Sequence, residues 1–414
     1  MKRKWIGVIL ASIFLASSIA GCVPAKDQPL VQSAKKDRQV VEKVGQEVLK
    51  DIDLPAKGVH LFGYHQDLVL SPAGTSVAFS GYFWDNEKNV KEQMVLANLV
   101  TGEVTTFDGV SKVLGWLPDN NTLLYQTEST LSLLNSKNDS RFEISEDCWY
   151  GSISPDGKQI AYAVKGKGLM VYTIEPAKHK QLTKNQDDWY PIWYPDSKQL
   201  FYFSDLQQNL GDGAGHLQGM AKISIETSEV TRLTDEEGKF RRAEWIIPGK
   251  SLHIVGGWDD GFYHGILNLS QNKYTDLGEN LMDSSYFVAV DSKTGLLFKT
   301  SFGQVDIFDA IGNKQESYSL QEKNRQNFYY TPSPNGYKLA FVQGDYDRFL
   351  DSKIKGNKVM VSDYDGQNVK ELTPEYTYND SIVWDKTGKH IITLQRLSQE
   401  GEDLISGLKI LPIK

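Results

Sequence analysis

The chain has 414 residues, with 53 Asp and Glu against 45 Lys and Arg, a formal net charge of −8, and two cysteines. An acidic body argues against nucleic acid as a partner, because that needs a basic patch. Thirty-five glycines, many aromatic and β-branched residues and little sign of long helices point to an all-β body.

The N-terminus lies outside that body. Lys2-Arg3-Lys4 is a basic cluster, and Trp5 to Ser18 is an apolar run too short to span a membrane comfortably. Ile19-Ala20-Gly21-Cys22 follows and resembles a bacterial lipobox. The resemblance implies a lipoprotein signal peptide over 1–21 and a Cys22 thiol that accepts a diacylglycerol. The alternative is an ordinary signal peptide with a chance cysteine; the cysteine falls where the apolar run ends, which favours the lipobox. Two acyl chains, palmitate among them, anchor stably where one is marginal. The protein is therefore expected at the cell membrane, lipid-anchored on its extracytoplasmic face. Losing Lys2, Arg3 and Lys4 takes the formal charge from −8 to −11. So acidic a chain does not lie on anionic lipid, so the anchor is the expected membrane contact. With Cys22 acylated, Cys148 has no intrachain partner and reads as a half-buried structural cysteine.

Residues 22–57 read as a tether and a short helix. Val23 to Asp37 is polar and aperiodic. Val40, Val41, Val44, Val48, Leu49 and Ile52 have helical spacing, and Leu54-Pro55 ends the pattern.

From residue 58 to 414 one unit recurs. It is a tight turn with proline second and glycine fourth, followed by a short apolar run. The turns are Ser71-Pro72-Ala73-Gly74, Leu117-Pro118-Asp119-Asn120, Ser154-Pro155-Asp156-Gly157, Tyr194-Pro195-Asp196-Ser197, Ile247-Pro248-Gly249-Lys250 and Ser333-Pro334-Asn335-Gly336. Proline-free copies stand at Ser292-Lys293-Thr294-Gly295 and Asp385-Lys386-Thr387-Gly388. After the third turn, Ile160, Tyr162 and Val164 alternate with Gln159, Ala161 and Ala163, the period of a strand. An outer strand ending such as Gln181-Leu182-Thr183, Arg232-Leu233-Thr234 or Glu371-Leu372-Thr373 precedes the turns. The spacing of roughly 40 to 50 residues is that of four-stranded propeller blades.

These turns and Leu-Thr-like endings resemble the WD40-like, TolB-type β-propeller repeat, which with the lipobox resembles a bacterial propeller lipoprotein. The resemblance implies a single all-β propeller of eight four-stranded blades. The last repeat, Asp380 to Lys414, supplies three strands, so an N-terminal strand is expected to complete the last blade and spare the ring an open edge. Val59–Phe62 is the expected strand, paired beside Leu408–Leu411.

Candidate chemistry is sparse. No Gly-x-Ser-x-Gly elbow occurs. Asp205 to His216 is glycine-rich but lacks a phosphate-binding signature. Asp345, Asp347 and Asp351 could bind calcium but do not fit an EF-hand loop, and a solvated acidic loop is the competing reading. The seven histidines, His60, His65, His179, His216, His253, His264 and His390, fall at unrelated strand positions, although His253 and His264 can face each other within one blade. No catalytic residue, metal set or cofactor is expected. Long connections between second and third strands, at Ser80–Glu92, Ser204–Gly219, Gln343–Asn357 and Gln395–Gly407, should share one face with the blade-to-blade connections.

The strongest pattern is aromatic. Trp149-Tyr150, Trp189-Tyr190 and Phe328-Tyr329 stand six and five residues before the turn proline, and Phe287 lies near the same place in the sixth repeat. They enter the innermost strand, so they should approach the mouth of the central channel and form an aromatic rim for a sugar or peptide. Packing between blades is the competing use of the same side chains. Trp116, Trp193 and Trp384, two residues before the turn position, read as packing residues. The functional expectation is a binding or scaffold module for an envelope protein or glycan. The alternative is a propeller enzyme, such as a metal-dependent polysaccharide lyase with histidine ligands.

Overall fold

The computed structural model describes residues 48–54, 59–60, 68–84, 90–209, 216–258, 261–280, 288–301, 303–320, 322, 325–345, 356–374, 378–399 and 402–413. They belong to a compact unit, Val41–Lys414. Cys22, Phe287, Asp347, Asp351 and residues 40–47 of the expected helix lie outside the described residues.

Every regular element among the described residues is a strand. Two short ones come first, β1 (Ile52–Asp53) and β2 (Val59–His60). Blade one holds β3 (Val69–Leu70), β4 (Ser76–Trp84), β5 (Val90–Asn98) and β6 (Val104–Asp108). Blade two holds β7 (Lys112–Trp116), β8 (Thr122–Gln126), β9 (Leu131–Asn135) and β10 (Ser140–Ser145). Blade three holds β11 (Cys148–Ile153), β12 (Gln159–Val164), β13 (Gly168–Thr173) and β14 (Lys178–Gln181). Blade four holds β15 (Trp189–Trp193), β16 (Gln199–Asn209), β17 (His216–Ser224) and β18 (Val230–Gly238). Blade five holds β19 (Phe240–Ile247), β20 (Ser251–Trp258), β21 (Gly261–Asn268) and β22 (Lys273–Asn280). Blade six holds β23 (Val288–Asp291), β24 (Leu296–Ser301), β25 (Gln304–Phe308) and β26 (Lys314–Ser319). Blade seven holds β27 (Arg325–Pro332), β28 (Lys338–Asp345), β29 (Asn357–Asp363) and β30 (Lys370–Glu371). Blade eight holds β31 (Tyr378–Trp384), β32 (His390–Gln399) and β33 (Glu402–Pro412), completed by β1. All pairings are antiparallel and the eight sheets form a β-propeller.

The turn chemistry builds each blade. In blade three, Gly157 N donates to Ser154 O at 2.8 Å, Ser154 Oγ accepts from Gln159 N at 2.9 Å, and Asp156 Oδ1 accepts from Lys158 N at 3.1 Å. The fourth turn residue is left-handed in every blade: Gly74, Asn120, Gly157, Ser197, Gly295, Gly336 and Gly388, with Gly249 one position earlier in a shorter turn. Glycine occupies that conformation without steric cost. Adjacent turns also touch. Ala73 N donates to Asn120 Oδ1, Gly157 lies against Pro118, and Asp156 N donates to Ser197 Oγ. Gly249 lies on Pro195, Gly295 on Ile247, Gly336 on Thr294, Gly388 on Asn335 and Gly74 on Lys386. Those eight contacts close a continuous ring at the turn face.

Tryptophan side chains add further ties between four pairs of neighbouring blades. Trp116 Nε1 donates to Val69 O, Trp193 Nε1 to Ser152 O and Trp384 Nε1 to Thr331 O, at 3.0, 3.0 and 2.9 Å. Each tryptophan thus ties its inner strand to that of the preceding blade, the packing role expected of it. Trp245 does the same to Trp193 O at 2.9 Å, and its repeat, with a shortened turn, had hidden it. Apolar clusters lie between successive sheets. One of them joins Ile52, Leu54, Leu68, Val77 and Phe79 at the start to Ile392, Leu394 and Leu408 at the end.

Three expectations need correction. The strand that completes blade eight is β1, with Ile52 opposite Leu408 and Asp53 opposite Gly407. Val59 and His60 pair instead with Phe83 and Tyr82 on the inner edge of blade one. The helical spacing does not reach Ile52: Val48–Lys50 are irregular and Ile52 is a strand residue, 3% exposed. Burying Ile52 and Leu54 between the first and last blades outweighs a helix that would expose one of them. Three of the four long connections, Ser80–Glu92, Ser204–Gly219 and Gln395–Gly407, are hairpin arms over most of their described residues. Gln395–Gln399 pairs with Glu402–Gly407, and β16 and β4 run on to Asn209 and Trp84.

Candidate functional site in the central channel

Inner strands do not run straight. The register of β7, β11, β15, β19, β27 and β31 against its neighbour slips in mid-strand. An extra residue at a bulge bends the strand and re-aims side chains. At this slip Tyr190, Tyr329 and Ser381 are left-handed, with φ of 58°, 52° and 48°. Such backbone costs a non-glycine residue about 1–3 kcal/mol and persists where the surroundings enforce it.

Three of these bulged strands, β19, β27 and β31, line a cavity of about 270 Å³ together with β23. Its wall includes Leu68, Arg242, Glu244, Tyr329, Ser381 and Val288, from five different blades. On the facing blades the Tyr150 and Tyr190 rings stack, with centroids 4.2 Å apart and planes 21° apart. Both phenols have Arg242 and Glu244 as charged neighbours, and burial pushes both pKa values up. They remain neutral hydrogen-bonding groups across the physiological range.

Blade five supplies the charge. Arg242 Nη2 reaches Glu244 Oε2 at 3.4 Å, and Glu244 Oε1 meets His253 Nδ1 at 3.0 Å. His253 Nε2 in turn meets His264 Nδ1 at 3.0 Å, with ring planes 4° apart. Burial alone would raise Glu244, but the Arg242 charge and the His253 bond outweigh it and hold the carboxyl down at about 2. Burial, with His253 alongside, drives His264 well below the usual imidazole range. An ionised carboxylate in the channel wall is thus backed by a hydrogen-bonded line running through β20 into β21. The two histidines face each other as the strand register allowed, engaged with each other inside the blade.

The sequence-predicted rim divides. Tyr150 and Tyr190 come together, and Tyr329 lies in the same channel wall as Arg242. Trp149 is 44% exposed, standing apart from the core. Trp189 is wedged between the cores on either side of blade four, and its buried Nε1 has no hydrogen-bond partner among the described residues. Phe328 is 4% exposed, a packing residue by position. Cys148 is buried and burial raises its thiol, consistent with a structural role. Sequence reasoning missed Arg242, Glu244 and Ser381. The signal existed: Arg241-Arg242 occupies in blade five, and Asp380-Ser381 in blade eight, the register of the aromatic pairs.

No family model matches the chain, and no curated protein matches it. Among solved structures it is similar to dipeptidyl peptidase 4 of Porphyromonas gingivalis, at 11% identity over 84% of this chain, with a TM-score of 0.52. This chain covers 62% of that peptidase. It is also similar to a putative TolB from Agrobacterium tumefaciens, at 20% identity, 77% of this chain, 97% of that one and a TM-score of 0.39. An oligogalacturonate lyase from Vibrio parahaemolyticus matches at 12% identity over 89% of this chain and 97% of that one, with a TM-score of 0.48. Similarity at these identities concerns the fold, and propellers host unrelated functions. The class defined here is an eight-bladed β-propeller with a polar-aromatic central channel.

Proposed function

We propose that the protein is a lipid-anchored extracytoplasmic binding module, holding a protein or glycan partner of the cell envelope at the channel mouth. The observation that carries this reading is the Tyr150–Tyr190 stack beside the Arg242–Glu244 pair, framed by left-handed backbone at Tyr190, Tyr329 and Ser381. Stacked phenols offer flat contact area, and the ion pair offers both signs of charge to one ligand. The lipobox supports the location. Wild type should incorporate radioactive palmitate and Cys22→Ala should not, partitioning away from the membrane instead.

The binding test uses intact envelope as the source of partner. Tyr190→Ala and Trp149→Ala should each weaken retention by about 1–3 kcal/mol if these residues are hot spots. Since Trp149 is exposed, its variant should melt like wild type within about 0.5 kcal/mol. Undiminished retention by both variants would remove the channel mouth as the binding site. Cleavage of uronate polymers by metal-supplemented protein would instead favour the lyase alternative.

A further inference from the structure

We propose a divalent transition-metal site on blade four, away from the channel, formed by Asp187, Asp205 and His216. Asp187 precedes the inner strand β15, Asp205 lies in β16, and His216 opens β17. The fold brings these three elements to one face, because β16 and β17 form the hairpin beside the connection entering β15.

Nδ1 of His216 lies 3.0 Å from Asp205 Oδ1 and 3.2 Å from Asp187 Oδ2. The three donor atoms all fall within 4.8 Å of one another. A cation with ligands near 2.1 Å at angles between octahedral and tetrahedral spaces neighbouring donors by roughly 3.0–3.4 Å. The two separations from His216 Nδ1 fall at that spacing. Without a cation, one Nδ1–H is shared between the two carboxylates, and its 3.0 Å contact with Asp205 Oδ1 is the shorter.

Charge and burial point the same way. The Asp205 side chain is 3% exposed, and its Oδ1 also accepts from Gln207 N at 2.7 Å. Asp188 is 1% exposed; one of its oxygens takes the Asp205 N–H at 2.8 Å, so its carboxylate abuts the cluster. The other, Oδ2, is buried without a hydrogen-bond partner among the described residues. Among the described residues, His216 is the one basic group that forms an ion pair with Asp187 and with Asp205. Two carboxylates share this imidazole and the buried Asp188 lies beside them, and buried charge is ordinarily paired or bound to metal. An imidazole with carboxylates suits Zn²⁺ or Mn²⁺, whereas Ca²⁺ prefers oxygen ligands alone. Such an ion ties the connection between blades three and four to the β16–β17 hairpin.

The test is metal uptake by full-length protein in detergent, stripped with chelator and dialysed against Zn²⁺, Mn²⁺ or Ca²⁺. The expected result is one equivalent of Zn²⁺, weaker Mn²⁺ and no displacement by Ca²⁺. His216→Ala and Asp205→Asn should each lower Zn²⁺ affinity more than about tenfold, and Asp188→Asn by roughly tenfold through its neighbour. Asp187→Asn, at a partly exposed position, guards against a folding artefact and should act like the other ligand variants. His390→Ala, which breaks a comparable His–Asp pair at Asp385, should bind Zn²⁺ as wild type does. Co²⁺ should give visible absorption bands that His216→Ala loses. Absence of stoichiometric uptake, uptake unchanged in the ligand variants, or preference for Ca²⁺ would each overturn the site.

Discussion

His264 has no exposed surface and sits at the inner end of a line of hydrogen bonds that begins at the channel wall. Its folded pKa lies well below the ordinary 6.5, so the unfolded chain binds the proton first as pH falls. Stability should therefore be complete above about pH 6.5 and fall as pH drops below it. Glu244 acts in the same direction at lower pH. Its folded value of about 2 against an ordinary 4.5 gives stability that is present above pH 4.5 and lost on descent towards 2. Acidification should thus weaken the fold in two stages, histidine first. His264→Asn keeps a hydrogen-bonding side chain beside His253 and removes the titration. Its loss of stability between pH 7 and pH 5 should be smaller than that of wild type by about 1–2 kcal/mol. Denaturant melts at the two pH values measure this, and parallel losses would exclude His264 as the titrating group. Phe328 makes a complementary case: at 4% exposed it is core, and Phe328→Ala should cost about 3–5 kcal/mol.

Strands in this molecule are matched by shape as well as by pattern. In blade five Gly256 of β20 stands opposite Tyr263 of β21, and Gly265 of β21 lies under the ring of Tyr274 from β22. A Cβ at either glycine would overlap the tyrosine ring. Gly265→Ala should displace Tyr274 and cost about 1–3 kcal/mol by overpacking, whereas adding Tyr274→Ala should recover much of it. If the two changes simply add, the rings do not set the spacing of this blade. Such partnerships are invisible to a period-two pattern, which fixes the face of a side chain but not its neighbour. The turns were legible for the opposite reason: Ser154-Pro155-Asp156-Gly157 carries its own hydrogen bonds and its own left-handed glycine within a few residues. The aromatic pairs were legible as a register, and the Tyr150 and Tyr190 rings stack on each other, a contact the register alone does not specify. Arg242 and Glu244 escaped because charge at an inner strand reads as a solvated residue until the ring brings five blades around one cavity.

Closure of the ring decides whether eight blades behave as one body. Blade eight contributes β31, β32 and β33 from one end of the chain, and β1 joins them from the other. The seal is local and specific. Ile52 is 3% exposed and belongs to the core shared by blades one and eight, and Asp51 Oδ1 accepts from Ile410 N at 2.8 Å. Gly407 is the narrow point, because a Cβ there would meet the carbonyl of Ile52, a backbone atom that cannot swing aside. Pairing between residues so distant in sequence leaves no local signature, and Val59–His60 offered an equally good strand pattern a few residues later. Gly407→Ala should therefore unseat β1, expose the edge of β33 and lose the burial of Ile52, at about 2–4 kcal/mol. Because each blade is stable mainly through its neighbours, the loss should lower the single unfolding midpoint of the whole propeller and raise amide exchange in blades one and eight. Asp53→Ala, whose side chain is 93% exposed, removes from the same strand only a solvent-exposed ion pair to Lys409 of β33 and should stay within about 0.5 kcal/mol of wild type. A Gly407→Ala protein that melts and exchanges like wild type would show that the ring holds without β1.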